Sequence, residues 1–261
     1  MPVTIDETDF VCLATIPKSG THYTHHFLVN YLLRVQGSAP PETLFSHDAF
    51  AVFPNKRYNY LHRGEPYKPT GPLPAGLKDL VVQHGFGDLE AFPGKVIALY
   101  RNPLDFIVSR FHYRHNSRTD ESLHVERIAD VAVDYAKRWA IGYAGLQTLL
   151  KSATPVCVTR YEQLVARPVQ EFRRMLAFLE VPIDESLVEQ TVSDVQSKRF
   201  RDTAAEKNLN PNFKVPIARD GSIGQWRSAM TAEDVAIVRD VLRERRMDLD
   251  EIMSAAECID E

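Results

Sequence analysis

The sequence contains few cysteines, and they do not form a recognisable framework. Cys12, Cys157 and Cys258 are odd in number and far apart along the 261 residues. This spacing fits neither a set of disulfides nor a zinc site. Cys12 and Cys157 fall in predicted strands, where a cysteine is usually a small buried apolar residue. Stability must therefore come from an ordinary apolar core, and the chain is long enough to bury one within a single large domain.

Neither an excess of charge nor a long apolar run is present. The 31 Lys and Arg residues nearly balance the 35 Asp and Glu residues, for a formal net charge of −4. This balance argues against nucleic acid or an anionic membrane as the principal partner, and makes a polyanionic glycan a less expected substrate. No segment approaches the ~20 apolar residues of a membrane span, and the acidic residues 1–7 are unlike a secretory signal. We therefore expect a cytoplasmic protein.

A strand, a tight turn and a helix are predicted in succession near the N-terminus. The apolar residues 10–16 end at Pro17, a Lys-Ser-Gly-Thr turn follows at residues 18–21, and residues 27–33 have the composition of a buried helix face. Backbone N–H groups and the helix dipole favour an anion at such a helix start, and a lysine adds a full charge. We call residues 17–21 the anion loop. An ordinary turn with a Ser/Thr helix cap is the alternative interpretation.

The usual nucleoside triphosphate loop is missing. That motif places glycine and lysine directly before a Ser or Thr that holds Mg²⁺, whereas here Lys18 precedes Gly20 and no glycine lies upstream of it in the turn. A P-loop kinase should also carry a clear Mg²⁺ aspartate, which the sequence lacks. A P-loop phosphotransferase therefore stays only as the alternative enzyme class.

A second strand-to-helix junction carries an arginine. Residues 95–100 form a continuous apolar run, typical of a strand buried on both faces. The run ends at Arg101, Pro103 suits the first turn of a following helix, and Ser109 would lie about two turns into that helix. Open α/β sheets place their ligands at the carboxyl ends of strands, so Arg101 is a candidate ligand-binding residue.

Strands and helices alternate along the rest of the chain. Strands are predicted at residues 80–83 and 155–159, and helices at residues 125–150 and 168–180. This order predicts an α/β fold with a central parallel sheet flanked by helices and right-handed crossovers. Residues 50–74 lack periodicity and are predicted to be a long loop that contacts a substrate.

Together these segments resemble the sulfotransferases that use 3′-phosphoadenosine 5′-phosphosulfate (PAPS). Residues 17–21 look like the family's 5′-phosphosulfate loop, and residues 100–109 look like its 3′-phosphate motif, with Arg and Ser at the family's spacing. Residues 219–227 are similar to the family's Arg-Lys-Gly-x-x-Gly-x-Trp-Lys segment. The resemblance implies one P-loop-like, three-layer domain over residues 1–261, PAPS as co-substrate and adenosine 3′,5′-bisphosphate (PAP) as product.

The resemblance also implies roles for individual residues. Lys18 would stabilise the charge on the leaving phosphate, and His84 would be the general base. A histidine that merely caps a strand is the alternative for His84. Some sulfotransferases use a glutamate as base, but no carboxylate is better placed here, although Asp88 and Glu90 follow closely. No metal is required. The residues expected to bind the co-substrate are Lys18, Ser19, Gly20, Thr21, His22, Tyr23, Arg101, Ser109, Tyr161, Arg219 and Gly221.

The sequence departs from the family pattern at several positions. Gln83 stands where the family usually has threonine, and Asp220 stands where it often has lysine. Tyr23 replaces a tryptophan that packs on the adenine, although a tyrosine ring can also stack. His22 and His26 would share a helix face and invite a metal interpretation, but no third ligand is implied.

The acceptor is the least constrained part of the prediction. Aromatic residues suggest a pocket for a hydrophobic or aromatic alcohol or phenol, and packing of the same residues onto the domain is the alternative. A carbohydrate or lipid alcohol, or an amine, stays open, as does the oligomeric state. A non-catalytic relic of the fold is a further alternative, against which Lys18 and His84 argue. The aromatic residues are Phe50, Phe53, Tyr58, Tyr60, Tyr67, Phe111 and Tyr113.

Overall fold

The computed structural model describes residues 10–35, 79–116, 124–196 and 221–257. Several predictions concern residues outside these ranges. They are the substrate-contacting loop at residues 50–74, the 3′-phosphate residue Arg219, its neighbour Asp220 and the third cysteine, Cys258.

Four parallel strands form the sheet within the described residues, in the order β2-β1-β3-β4. The interior of the third strand is entirely buried, as expected for a strand covered on both faces. The predicted parallel sheet is therefore confirmed, with β2 extending through His84 rather than ending at Gln83. The strands are β1 (Phe10–Thr15), β2 (Asp79–His84), β3 (Lys95–Tyr100) and β4 (Val156–Arg160).

Helices follow or connect these strands. The second helix continues directly into a single π-helical turn, His112–Asn116, and a short 3₁₀ turn, Leu89–Ala91, precedes β3. The helices are α1 (Thr21–Val35), α2 (Pro103–Phe111), α3 (Ala129–Leu149), α4 (Tyr161–Ala166), α5 (Pro168–Phe178), α6 (Glu185–Gln196), α7 (Trp226–Ala229), α8 (Ala232–Glu244) and α9 (Leu249–Glu257).

Alternate side chains of each strand enter two separate apolar cores. Cys12 and Ala98 face one core, which contains α2, α3, α8 and α9. Leu13 and Ile97 face the other, which contains α1, α4, α5 and α6. Because successive strand residues point to opposite faces, one sheet supports a helical layer on each side. The expected three-layer architecture is thus present, and Cys12 and Cys157 are buried free cysteines, as predicted.

Two helix ends differ from the sequence-based prediction. The helix predicted over residues 168–180 ends at Phe178, because Glu180 adopts a left-handed φ of 58°. The N–H of Val181 then donates to the carbonyl of Leu176 at 3.0 Å, which closes the helix C-terminus. The helix predicted from residue 125 begins only at Ala129.

Trp139 connects α3 to the carboxyl end of β3 through a buried hydrogen bond. Its ring is fully buried, and its Nε1–H donates to the carbonyl oxygen of Arg101 at 2.8 Å. Tyr143, one turn later, stacks on the indole with ring centroids 4.8 Å apart. The indole therefore fixes the backbone from which the Arg101 side chain projects.

We expect Trp139→Phe to lower the free energy of unfolding by about 2–3 kcal/mol, because it removes buried volume and leaves the Arg101 carbonyl without its donor. Urea unfolding followed by circular dichroism measures this change. Ile141→Ala, on the exposed side of the same helix at 61% exposure, is the matched control and should change stability little. Equal losses in the two variants would contradict the assigned role.

Candidate active site

The ends of the strands bring the candidate residues to one edge of the sheet. Thr15 pairs with His84 across β1 and β2, and Tyr100 pairs with Arg160 across β3 and β4. Parallel strands share a carboxyl edge, so the segments that follow each strand must start close together. The anion loop, Arg101 and Tyr161 are those following segments.

The anion loop has the backbone of an anion-binding turn. Lys18 and Gly20 adopt φ values of 71° and 90°, and the first hydrogen bond of α1 runs from the N–H of Thr24 to the carbonyl of Gly20 at 2.9 Å. The amides of residues 20–23 precede this bond, and the first amides of a helix have no acceptor within the helix and point outward. A Cβ on Gly20 would lie 2.9 Å from Cδ2 of Tyr161, which makes glycine the fitting residue there.

The two catalytic candidates lie close to aromatic and cationic side chains. Nζ of Lys18 lies 4.2 Å from the centroid of the Tyr113 ring, a cation–π contact. Nδ1 of His84 is 3.1 Å from Oγ1 of the buried Thr15, although His84 as a whole residue retains exposed surface. Desolvation by the surrounding protein, together with the positive charges of Arg110 and Lys18, lowers the pKa of His84. The neutral, proton-accepting form of the imidazole is thereby favoured.

Arg110 is a cation that the sequence analysis missed. It is half-buried, and its guanidinium lies 5.3 Å from the Tyr135 ring centroid. Among the described residues, its buried Nε has no hydrogen-bond partner and its side chain forms no ion pair. A helix position directly after Ser109 gave no sequence signal, because only the fold brings α2 beside the end of β2.

Arg101 is held in a defined orientation at the end of β3. Its Nη2 donates to the carbonyl of Ser222 at 2.8 Å, and its guanidinium lies 4.4 Å from the centroid of the Tyr161 ring. The side chain is buried, yet its Nε has no hydrogen-bond partner among the described residues. A guanidinium with an unused donor is suited to an added anion.

Tyr161 joins three of the predicted site segments. Its ring lies against Gly20 and under Arg101, and its hydroxyl donates to the carbonyl of Gly221 at 2.6 Å. A Cβ on Gly221 would meet that hydroxyl at 2.9 Å, and the residue has a φ of 71°. The anion loop, the end of β3 and the segment starting at Gly221 therefore meet at one tyrosine side chain.

A buried carboxylate holds the third predicted motif in place. Asp105 accepts hydrogen bonds from the N–H groups of Gly224 at 2.8 Å and Trp226 at 3.1 Å. Its Oδ2 also accepts from Nδ2 of Asn102 at 3.0 Å and lies 3.7 Å from Nη2 of Arg101. Sequence analysis could have singled out Asp105, because Asn102 and Asp105 have the spacing of a helix N-cap and its third helical residue.

Glu162 is a second buried carboxylate near the arginine. Its Oε1 accepts from the N–H and Nδ2 of Asn102, at 3.1 and 2.7 Å. Its Oε2 is buried without a hydrogen-bond partner in the described part of the chain. No sequence signal identified this residue, because its partner lies 60 positions away.

Other predicted site residues have no described side-chain contact with Arg101. Ser109 is half-buried on α2, with no side-chain contact among those described that links it to Arg101. His22 is exposed, and its ring faces that of His26 with centroids 6.3 Å apart. The Ser19 hydroxyl is buried without a partner in the described ranges.

Tyr23 packs against the helices of the second core. Its ring meets Phe172 edge-on with centroids 5.3 Å apart, and its hydroxyl accepts from Nε2 of Gln196 at 2.8 Å. Stacking of Tyr23 on an adenine stays a prediction. Phe111, a suggested pocket residue, is buried in the first core, whereas Tyr113 is half-buried and faces Lys18.

Within 10–35, 79–116, 124–196 and 221–257, no group of three His, Cys, Asp or Glu side chains could hold a metal ion. None of the helices in those ranges has both the length and the apolar character of a membrane-spanning segment.

We expect Arg110→Gln to raise the pKa of His84, because it removes a positive charge that disfavours the imidazolium. An NMR titration of the imidazole resonances measures the pKa. Arg138→Gln is the matched control, since Arg138 is exposed and paired with Asp134 at 2.8 Å, and the pKa of His84 should stay unchanged in it. An unchanged His84 pKa in Arg110→Gln would contradict the electrostatic assignment.

Asp105→Ala should lower the free energy of unfolding by about 3 kcal/mol, because it leaves two backbone N–H groups and part of Arg101 without a buried acceptor. Chemical denaturation measures the change. Asp130→Ala is the control, since Asp130 is exposed and pairs only with exposed Arg127, and it should have little effect. A similar result for both variants would show that Asp105 does not anchor the segment at residues 221–226.

Comparison with known proteins relates this site to one family. The sequence profile of the sulfotransferase domain matches residues 8–250. Cytosolic sulfotransferase 15 of Arabidopsis thaliana is 26% identical over an alignment of 249 residues, covering 86% of this chain and 68% of that protein. Cytosolic sulfotransferase 8 of the same plant is 23% identical over 249 residues, covering 87% of this chain and 73% of that protein.

Solved structures show the same fold. Mouse sulfotransferase SULT7A1 complexed with PAP is 17% identical, with a TM-score of 0.62, and the match covers 98% of this chain and 88% of that one. Retinol dehydratase in complex with androsterone and PAP is 15% identical, with a TM-score of 0.62, and covers 90% of this chain and 80% of that one. Because the domain profile spans nearly the whole sequence, the chain belongs to the sulfotransferase domain family.

Proposed function

We propose that the protein transfers a sulfuryl group from PAPS to a hydroxyl or amine of a small acceptor. The observation that carries this proposal is the meeting of Lys18, His84, Arg101 and Tyr161 at one edge of the sheet. Family membership supports the reaction type, and the PAP bound in two structural neighbours supports the choice of donor. The word cytosolic in the names of the relatives supports a cytoplasmic location. The formal net charge of −4 supports a small-molecule acceptor rather than nucleic acid or an anionic membrane as partner.

The residues at this edge fit an adenosine bisphosphate carrying a sulfuryl group. The amides of residues 20–23 and the charge of Lys18 suit the 5′-phosphate, and the unused Nε donor of Arg101 suits the 3′-phosphate. Ser109 and Arg219 are proposed to assist Arg101 on the basis of the family motif. Ser19, Gly20, Thr21 and His22 would line the 5′ end, and Tyr23, Tyr161 and Gly221 the adenosine side.

Charge neutralisation and proton removal are the tasks of the protein. When bound, PAPS supplies the sulfuryl group and a phosphate leaving group. Lys18 would stabilise the negative charge that develops on that phosphate, which is typically worth about 3 kcal/mol for one well-placed donor. His84 would accept the acceptor's proton at Nε2 while its Nδ1 faces Thr15.

The lowered pKa of His84 has consequences for pH and acceptor. Because its pKa is lowered, His84 becomes protonated only at a pH below the ordinary histidine pKa of about 6.5. The acidic limb of the kcat/KM profile should therefore lie below that pH. A less basic imidazole is also better matched to an acidic acceptor proton. A phenol, with a pKa of about 10, is more acidic than an aliphatic alcohol. This argument supports the predicted aromatic acceptor, for which residues 50–74 would supply further contacts.

The alternatives lead to different experiments. Membership of the sulfotransferase family removes the reason to favour a P-loop kinase. A non-catalytic relic would bind the donor without turning it over, so binding and turnover must be measured separately.

Calorimetry with PAP and with adenosine 5′-phosphate tests the donor site. We expect PAP to bind roughly 10- to 100-fold more tightly, because the 3′-phosphate gains charge-assisted hydrogen bonds. Arg101→Ala should abolish this preference, and Lys18→Ala should weaken both ligands. Arg138→Ala, at an exposed ion pair outside the cluster, is the control. Equal affinity for the two nucleotides would contradict the proposal.

Release of PAP from PAPS in the presence of a panel of phenols then tests turnover. We expect His84→Asn to retain PAP binding and to lower turnover about 10²- to 10⁴-fold, the usual contribution of a general base. Donor binding without turnover in the unaltered protein would favour the relic.

A further inference from the structure

Two buried hydroxyls connect His84 to the anion loop. Nδ1 of His84 is 3.1 Å from Oγ1 of Thr15, which is 2.8 Å from Oγ1 of Thr21. Thr15 is fully buried at the end of β1, and Thr21 is the first residue of α1. Neither hydroxyl has another side-chain partner in the part of the chain that the structure describes. The three groups therefore form one continuous chain of hydrogen bonds.

The direction of this chain depends on the tautomer of His84. A neutral imidazole has one N–H donor and one bare acceptor nitrogen, and each hydroxyl donates only one hydrogen. If Nδ1 is bare, Thr15 donates to it, Thr21 donates to Thr15, and Nε2 carries the proton. If Nδ1 carries the proton, it donates to Thr15, Thr15 donates to Thr21, and the Thr21 hydrogen points onward.

Only the second direction leaves the histidine ready to act as a base. With the proton on Nδ1, Nε2 is bare and can accept a proton from a substrate hydroxyl. In this direction Thr21 also offers its hydrogen to a group in the anion loop. An anionic phosphate accepts hydrogen bonds and donates none, so its presence selects this direction over the other.

We propose that Thr15 is a positioning residue that couples occupation of the anion loop to the tautomer of His84. Binding of a 5′-phosphate at Thr21 orients the two hydroxyls so that Nδ1 holds the proton and Nε2 is freed for the acceptor. This inference rests on the proposed function, since it takes the loop's anion to be the donor's phosphate. It gives the protein an order of events, in which the base is set only once the donor is in place.

Two cations near His84 act on its charge. Arg110 and Lys18 disfavour the imidazolium and so keep the ring neutral. A backbone hydrogen bond from the N–H of Gly85 to the carbonyl of Thr15, at 2.9 Å, joins the ends of the two strands and involves neither hydroxyl. Replacing the Thr15 hydroxyl therefore tests directly how the hydrogen bond to Nδ1 affects the tautomer.

The test is ¹⁵N NMR of the imidazole nitrogens at about pH 8, above the ordinary histidine pKa. Full-length protein is compared with and without saturating PAP, and His84→Asn identifies the resonances. We expect PAP to shift the Nδ1–H to Nε2–H ratio of His84 roughly fivefold or more towards Nδ1–H, as for a neutral hydrogen bond replaced by a charge-assisted one. Binding of PAP without any change in the ratio would overturn the proposal.

Two variants interrupt the hydrogen-bonded series from His84 to Thr21 at different hydroxyls. Thr15→Val keeps the shape of the side chain but removes the hydroxyl that contacts His84. Thr21→Val removes the hydroxyl that would contact the anion. Neither variant should show the PAP-dependent shift. Thr15→Ser should restore it. Calorimetry must show that Thr15→Val still binds PAP, which separates a lost coupling from a lost site. The same shift in either valine variant would overturn the proposal, and an absence of PAP binding to the unaltered protein would overturn the proposed function as well.

Discussion

Parallel pairing of the four strands is the constraint on which the rest of this structure depends. It places the residues that follow β1, β3 and β4 at a common edge, together with the last residue of β2. A lysine turn, an arginine, a tyrosine and a histidine that are far apart in sequence thereby become neighbours. The helical layers on both faces keep that edge fixed, since each strand contributes alternate side chains to both cores.

Buried carboxylates organise one half of the site, and cations dominate the other. Asp105 and Glu162 bind backbone N–H groups and Asn102 around Arg101, so they are structural acceptors of hydrogen bonds. Around His84 the balance is the reverse, because Arg110 is half-buried with no ion pair among the described residues. A protein with a net charge of −4 thus contains a locally positive site, where a negatively charged donor and a neutral histidine are both favoured.

Much of the fold and part of the site could be predicted from the sequence. The apolar strands, the strand-turn-helix at Lys18 and the strand end at Arg101 depend on local pattern, so the structure agrees with them. Thr15, Arg110 and Glu162 were missed, because each acquires its partner through contacts between residues far apart in the chain. The ends of helices were less well predicted, since a left-handed residue such as Glu180 leaves little trace in composition.

The sequence by itself determined the order of strands and helices, the position of the strand-turn-helix that contains Lys18, and the residue types available for chemistry. It did so because apolar periodicity and turn composition act over a few neighbouring residues. Only the tertiary structure decided which of those residues meet. Tyr161 joins Gly20, Arg101 and Gly221, and Thr15 joins His84 to Thr21, because strand register and crossover packing bring distant segments within hydrogen-bond distance.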